Sequence, residues 1–151
     1  MSITKLVAFV LCAAAAVAQT GGSRILIRHQ APTDRALDFP LATLQAEFAD
    51  MAAQKRLTTR MLEGGDFSMN ARYLVGSEAA QVHKSINEFY FIREGTATLI
   101  TGGTMVEKAI HGGVERPVKP GDVVFIPAGV PHAIKDTTGI SYLNIHFGGT
   151  D

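Results

Sequence analysis

Between Pro120 and Ile134 the chain reads PGDVVFIPAGVPHAI, and its chemically versatile side chain, His132, follows a strand-like run and two Pro/Gly turns. An imidazole can hold a metal or carry a proton near neutral pH, and either task needs the ring in one place. The neighbouring residues supply that constraint. Gly121 turns the chain into a strand, Pro127 and Gly129 fix the bend at its end, and Pro131 stiffens the approach to His132. Upstream, GSEAAQVHKSINEFYFIREG holds a second concentration of reactive groups, His83 and Glu88.

The elements that must position these groups are mostly strands. From Thr58 onward, TTRMLEGG, FSMNARYLV, EFYFIREG, ATLITGG, TMVEKAI, GDVVFIPAG and ISYLNIHFGG are strand-like, with Gly and Pro punctuation between them. This spacing predicts an all-β sandwich or barrel. Gly102 and Gly103 suit a two-residue hairpin turn within ATLITGGTMVE, and GDVVFI, apolar at both parities, suits a strand covered on both faces. Before Thr58, RILIRH suits a short strand. In DFPLATLQAEFADMAAQKRL, Leu41, Leu44, Phe48 and Met51 recur at helical spacing behind Asp38 and Pro40. One amphipathic helix is expected there, packing on the barrel or on a partner subunit.

The run Gly121, five residues, Pro127, one residue, Gly129, two residues, His132 resembles the second motif of the cupin superfamily, with Asp136 where that motif usually ends in Asn. His83, Glu88 and Gly95 resemble the first motif, in the variant form of small single-domain bacterial cupins. Ser85 stands where a second histidine is usual, and the connection to Glu88 is one residue shorter. The resemblance covers Thr58 to Phe147. It implies an all-β fold: a cupin-type double-stranded β-helix (jelly-roll) barrel with one N-terminal amphipathic helix. It also implies a homodimer formed by strand or helix exchange, to which the Leu41 to Met51 helix is a candidate contributor.

On that resemblance, His83, Glu88 and His132 form a two-histidine, one-carboxylate set. Such a set suits Fe(II), Mn(II), Ni(II) or Zn(II) and leaves positions open for substrate or oxygen. The expected function is a metal-dependent reaction of dioxygenase, lyase or isomerase type on a small organic molecule in the barrel mouth. The competing expectation, favoured by Ser85, is a non-catalytic binding or structural barrel without metal. If Glu88 faces inward, so do Tyr90 and Ile92, while Phe89 and Phe91 face the other way. Tyr90 would then stand near the metal, either as a general base, a role that resembles that in cupin lyases, or simply as a filler of the barrel.

The remaining histidines carry weaker expectations. Leu143, Ile145 and Phe147 look like the core-facing set of the last strand, which would leave His146 on the other face and away from the metal ligands. His111 lies in the glycine-rich AIHGGVER connection, where Lys108 and Arg116 could meet an anionic substrate, and His29 receives no role. Fourteen basic and fourteen acidic residues, scattered along the chain, give no footprint for nucleic acid or an anionic membrane, so a small molecule is the expected partner.

MSITKLVAFVLCAAAAVAQT has the grammar of a secretory signal: Lys5, an apolar run from Leu6 to Ala15, and Ala16-Val17-Ala18 before a cut at Gln19. The run is shorter than the ~20 apolar residues of a spanning helix, and Leu11 before Cys12 is large for a lipoprotein signal. A periplasmic or secreted protein, free of the membrane after cleavage and without cysteine, is expected. The resulting organisation is a signal over 1–18, a strand and helix segment over 19–57, and a barrel over 58–151.

Overall fold

Strand patterning and the helical repeat are both realised in the computed structural model, which describes residues 25–151. The signal and cleavage-site reading, Cys12 included, lies outside the described residues. In chain order the elements are β1 (Leu26–Ile27), α1 (Leu41–Gln54), β2 (Thr58–Glu63), β3 (Phe67–Gly76), β4 (Ile86–Glu94) and β5 (Ala97–Thr101). They continue with β6 (Thr104–Val106), β7 (Ala109–His111), β8 (Val114–Val118), β9 (Val123–Ile126), β10 (His132–Lys135) and β11 (Thr137–Gly148).

One sheet runs β1-β2-β3-β11-β4-β9 and a smaller one β10-β5-β8, with β6 and β7 as a separate hairpin. Between the two sheets lies a core that includes Ile92, Leu99, Ile126, Ile134, Ile140 and Tyr142. This is the expected all-β barrel with one helix. The helix buries Leu44, Phe48 and Met51 against Met61 and Ala71 on the outside of the large sheet, as its spacing predicts. Pro40 supplies its N-cap, Asp38 makes no capping bond, and Lys55 closes the other end at φ 52°. Glu47, buried on the inner side of the helix, is held by Arg28 and Arg56 at 2.9 and 3.1 Å.

Four details differ from the sequence expectations. Gly102 and Gly103 take positive φ angles of 77° and 74°, but they do not close a β5–β6 hairpin. β5 pairs with β10 and β8, while β6 pairs with β7, so the glycines steer the chain out of the small sheet. TMVEKAI is accordingly two strands, not one. β8 and β10 carry no clear strand signal, because β8 contains Pro117, tolerated at a sheet edge, and β10 is four residues long directly after a proline turn. Finally, β9 is covered on one face only. Val124 and Ile126 are buried, whereas Val123 and Phe125 are 56% and 51% exposed on an edge strand, where Phe125 joins an outer aromatic cluster with Phe89, Phe91 and Phe147.

Candidate metal centre

Backbone hydrogen bonds sew the two motif segments together before any side chain meets. Gln81 and His132 exchange both N–H···O bonds at 2.9 Å, and the Gly129 N–H donates to the His83 carbonyl at 2.6 Å. Gly129 sits at φ 81°, as the turn between the prolines requires. The Ala128 N–H donates to the Asn87 side chain at 3.1 Å, beside Glu88. The turn that places His132 therefore also places His83. At the far end of β4, Gly95 has φ 75° and presses so close to β11 that an added Cβ would lie 1.8 Å from the Gly139 carbonyl oxygen.

Glu88 is the hub. It is 2% exposed, points inward from β4, and meets three imidazoles. His146 Nε2 lies 2.6 Å and His83 Nε2 3.8 Å from Oε1, while His132 Nε2 lies 2.8 Å from Oε2. His83, Glu88 and His146 offer ligand atoms all within 4.8 Å of one another, and His132 reaches the same carboxylate from its other oxygen. The structure thus brings together the three residues singled out in the sequence and adds a fourth.

That fourth residue is a correction. On β11 the inward set is Tyr142, Asn144 and His146, not Leu143, Ile145 and Phe147. The alternation is as predicted but its faces are reversed. Leu143 packs against the cluster under α1 and Phe147 against the outer aromatics, so the outside of β11 is apolar, while its inside faces the polar centre. What decides the face is the pairing of β11 with β4, which sets His146 directly across from Glu88 and which the local sequence does not reveal.

The donors are oriented as ligands would be. His132 Nδ1 donates to the Val130 carbonyl at 3.0 Å and His83 Nδ1 to the Asp151 carboxylate at 2.8 Å, which turns both Nε2 atoms inward. Asn144 Nδ2 donates to Glu88 Oε1 at 2.9 Å and fixes the carboxylate plane. Yet His83 Nε2, His132 Nε2 and Glu88 Oε2 are buried without an aligned hydrogen-bond partner. His132 Nε2 and Glu88 Oε2 thus stand 2.8 Å apart as a close pair without an aligned hydrogen bond. Burial pushes the Glu88 carboxyl up, but the neighbouring His132 and His146 imidazoles and the Asn144 amide outweigh it and hold Glu88 well below the usual carboxylate range. For His132, burial works against the charged form, and Glu88 more than offsets it, so its value is raised.

A cavity of ≈ 130 Å³ adjoins the centre, lined by Thr58, Arg60, Arg72, Tyr90 and Asn144 together with His83, Glu88 and His146. His83, His146 and Arg60 also line a second opening of ≈ 270 Å³ beside Gly64 to Phe67. Tyr90 does face the interior, edge-on to His132 at 6.1 Å between ring centres, but burial, with Tyr142 and Glu88 nearby, pushes its phenol well above the ordinary value. Arg72 is anchored by Glu78 at 2.7 Å, by Tyr142 at 3.3 Å and by Thr58. His111, Lys108 and Arg116 are exposed and line neither of these cavities, and His29 packs against Phe39.

Comparison with known proteins agrees with this architecture. The cupin domain family matches residues 72–145, a span holding His83, Glu88 and His132 and ending one residue before His146. No curated protein matches the chain. Among solved structures, a Bacillus halodurans protein is similar at a TM-score of 0.60 and 14% identity, over 79% of this chain and 86% of its own. The Cnp3 cupin domain of Schizosaccharomyces pombe is similar at 0.51 and 13%, over 61% and 60%. A cupin superfamily protein of Desulfitobacterium hafniense is similar at 0.49 and 18%, over 62% and 77%. The two-motif barrel and the matched family together make this chain a member of the cupin superfamily.

Proposed function

We propose that the barrel holds one divalent transition metal, Fe, Mn, Ni or Zn, and acts on a small polar organic molecule, in a reaction of dioxygenase, lyase or isomerase type. The observation that carries this reading is the set of buried Nε2 and carboxylate oxygen atoms that converge without aligned hydrogen bonds. Such a set leaves costly unsatisfied groups unless a cation or proton sits among them. Three imidazoles and a carboxylate fit borderline transition metals and do not fit Mg²⁺ or Ca²⁺, which prefer oxygen.

His83, Glu88 and His146 would hold the ion, with His132 available from the other side of Glu88. When bound, it would supply Lewis-acid polarisation or oxygen activation. The rest of the work belongs to the chain. Asn144 holds Glu88 in one plane, and Tyr90 and Arg72 wall the cavity with a phenol and a fixed guanidinium. At ≈ 130 Å³ the cavity limits the reacting part of a substrate to a few heavy atoms.

The test is metal analysis of chain expressed from Gln19, purified without chelator and loaded in turn with Fe(II), Mn(II), Ni(II) and Zn(II). About one equivalent is expected in wild type and a loss in Glu88→Ala. No metal under any loading would leave a binding barrel without metal as the function.

A further inference from the structure

Ser85, which stands where the resemblance expects a second histidine, is engaged elsewhere. Its backbone N–H donates to Asp151 Oδ1 at 2.9 Å, and its hydroxyl lies 2.9 Å from the same oxygen and 2.8 Å from the Thr150 carbonyl. The other oxygen of that carboxylate, Oδ2, is 2.8 Å from His83 Nδ1. One carboxylate therefore spans both residues, Oδ1 on Ser85 and Oδ2 on His83. Gly149 lets the segment lie this close, since a Cβ there would come within 2.7 Å of Ser85 Cβ.

We propose that Asp151, clamped by Ser85, is a positioning residue that fixes the His83 ring and its Nδ1–H tautomer, so that the Nε2 lone pair faces Glu88. An ionised carboxylate can only accept, so the proton of the bond belongs to His83 Nδ1. In the neutral ring that leaves the lone pair on Nε2, the nitrogen buried 3.8 Å from Glu88 Oε1. A ligand histidine whose far nitrogen is held by a carboxylate is oriented and made more basic, and loss of such a partner typically costs 10–100-fold in metal affinity. Ser85 thus contributes to the centre without touching it, by holding the group that aims His83. The consequence for metal rests on the function proposed above, whereas the tautomer assignment does not.

The experiment uses the full chain from Gln19, as wild type, Asp151→Ala, Asp151→Asn and Ser85→Ala. Long-range ¹H–¹⁵N correlation of the metal-free protein reads the His83 tautomer, and Zn(II) competition titration reads affinity. Wild type is expected to show the Nδ1–H form. Asp151→Ala should shift His83 towards Nε2–H and weaken Zn(II) about 10–100-fold, with Asp151→Asn in between because its amide oxygen still accepts. Ser85→Ala, which keeps the backbone donor, should move both readouts in the same direction by less. An unchanged tautomer in Asp151→Ala overturns the inference, as does an unchanged Zn(II) affinity where the wild type binds the ion. Wild type that takes up no Zn(II) while its tautomer shifts on substitution would remove the metal function and leave the positioning role standing.

Discussion

His146 stands directly across β4 and β11 from Glu88, and its Nε2 lies 2.6 Å from the carboxylate Oε1. Residues opposite one another in an antiparallel pair share a face, so the register alone decides that this histidine enters the barrel. The imidazole that the first motif lacks at Ser85 is matched by one from a different strand. Replacing His146 with Ala is therefore expected to reduce bound metal to well below one equivalent after Zn(II) or Mn(II) loading. His111→Ala, on the exposed β7 hairpin, is expected to retain it. Equal metal content in the two variants, measured by elemental analysis, would place the centre without His146.

Metal-free protein should have a stability optimum set by Glu88 and His132. The folded Glu88 carboxyl is held below its ordinary 4.5, so its contribution is present above that pH and is lost as pH falls towards the depressed value. The folded His132 is raised above 6.5, so its contribution is complete below 6.5 and is lost as pH rises through the folded value. Maximum stability is expected between 4.5 and 6.5. Urea denaturation across pH should show Glu88→Gln flattening the acid limb and His132→Asn the alkaline one. His132→Asn should cost on the order of 3 kcal/mol near pH 6, because it leaves a buried carboxylate with one fewer cation. Limbs that superimpose on wild type would refute the assignment.

Much of the barrel was legible in the sequence because strand ends are written in Gly and Pro. Gly95, Gly121 and Gly129 all take the positive φ angles that their motif positions imply. The helix was legible because one face alone is apolar. Strand parity was less so. GDVVFI and ISYLNIHF are apolar enough at alternate positions that burial under another layer and burial under α1 or an outer aromatic cluster read alike. That ambiguity reverses the faces of β11 and hides His146, and the partners of β5 stay hidden because pairing between distant strands leaves no local trace. Asp151 illustrates the same limit, since its bond to His83 joins residues far apart in the chain.

Gly95→Ala should be one of the costlier single-methyl additions in the chain. The added Cβ would overlap the Gly139 carbonyl oxygen at 1.8 Å, and the backbone at φ 75° disfavours any side chain. The left-handed conformation alone costs roughly 1–2 kcal/mol, and the overlap forces β4 and β11 apart, the two strands that carry Glu88 and His146. A loss of about 2 kcal/mol or more in urea denaturation is expected. Gly65→Ala, where nothing lies within 4 Å of the added atom, should stay within about 0.5 kcal/mol of wild type. Equal midpoints for the two variants would contradict the predicted overlap.

Tyr90→Phe separates a phenol that takes part in the centre from one that fills the barrel. Tyr90 lies edge-on to His132 and 4.9 Å from the Tyr142 ring, contacts that a phenylalanine ring keeps. Tyr90 lines the cavity from a buried position, and the raised value of the phenol keeps it protonated and neutral at physiological pH in the metal-free protein. A neutral phenol is a poor ligand beside three imidazoles, so metal stoichiometry and Zn(II) affinity should match wild type within about twofold, and stability within about 1 kcal/mol. A tenfold or larger fall in affinity would show the oxygen acting on the ion. Unchanged binding combined with a loss of turnover of about 100-fold or more, once a substrate is in hand, would instead assign the phenol to proton transfer.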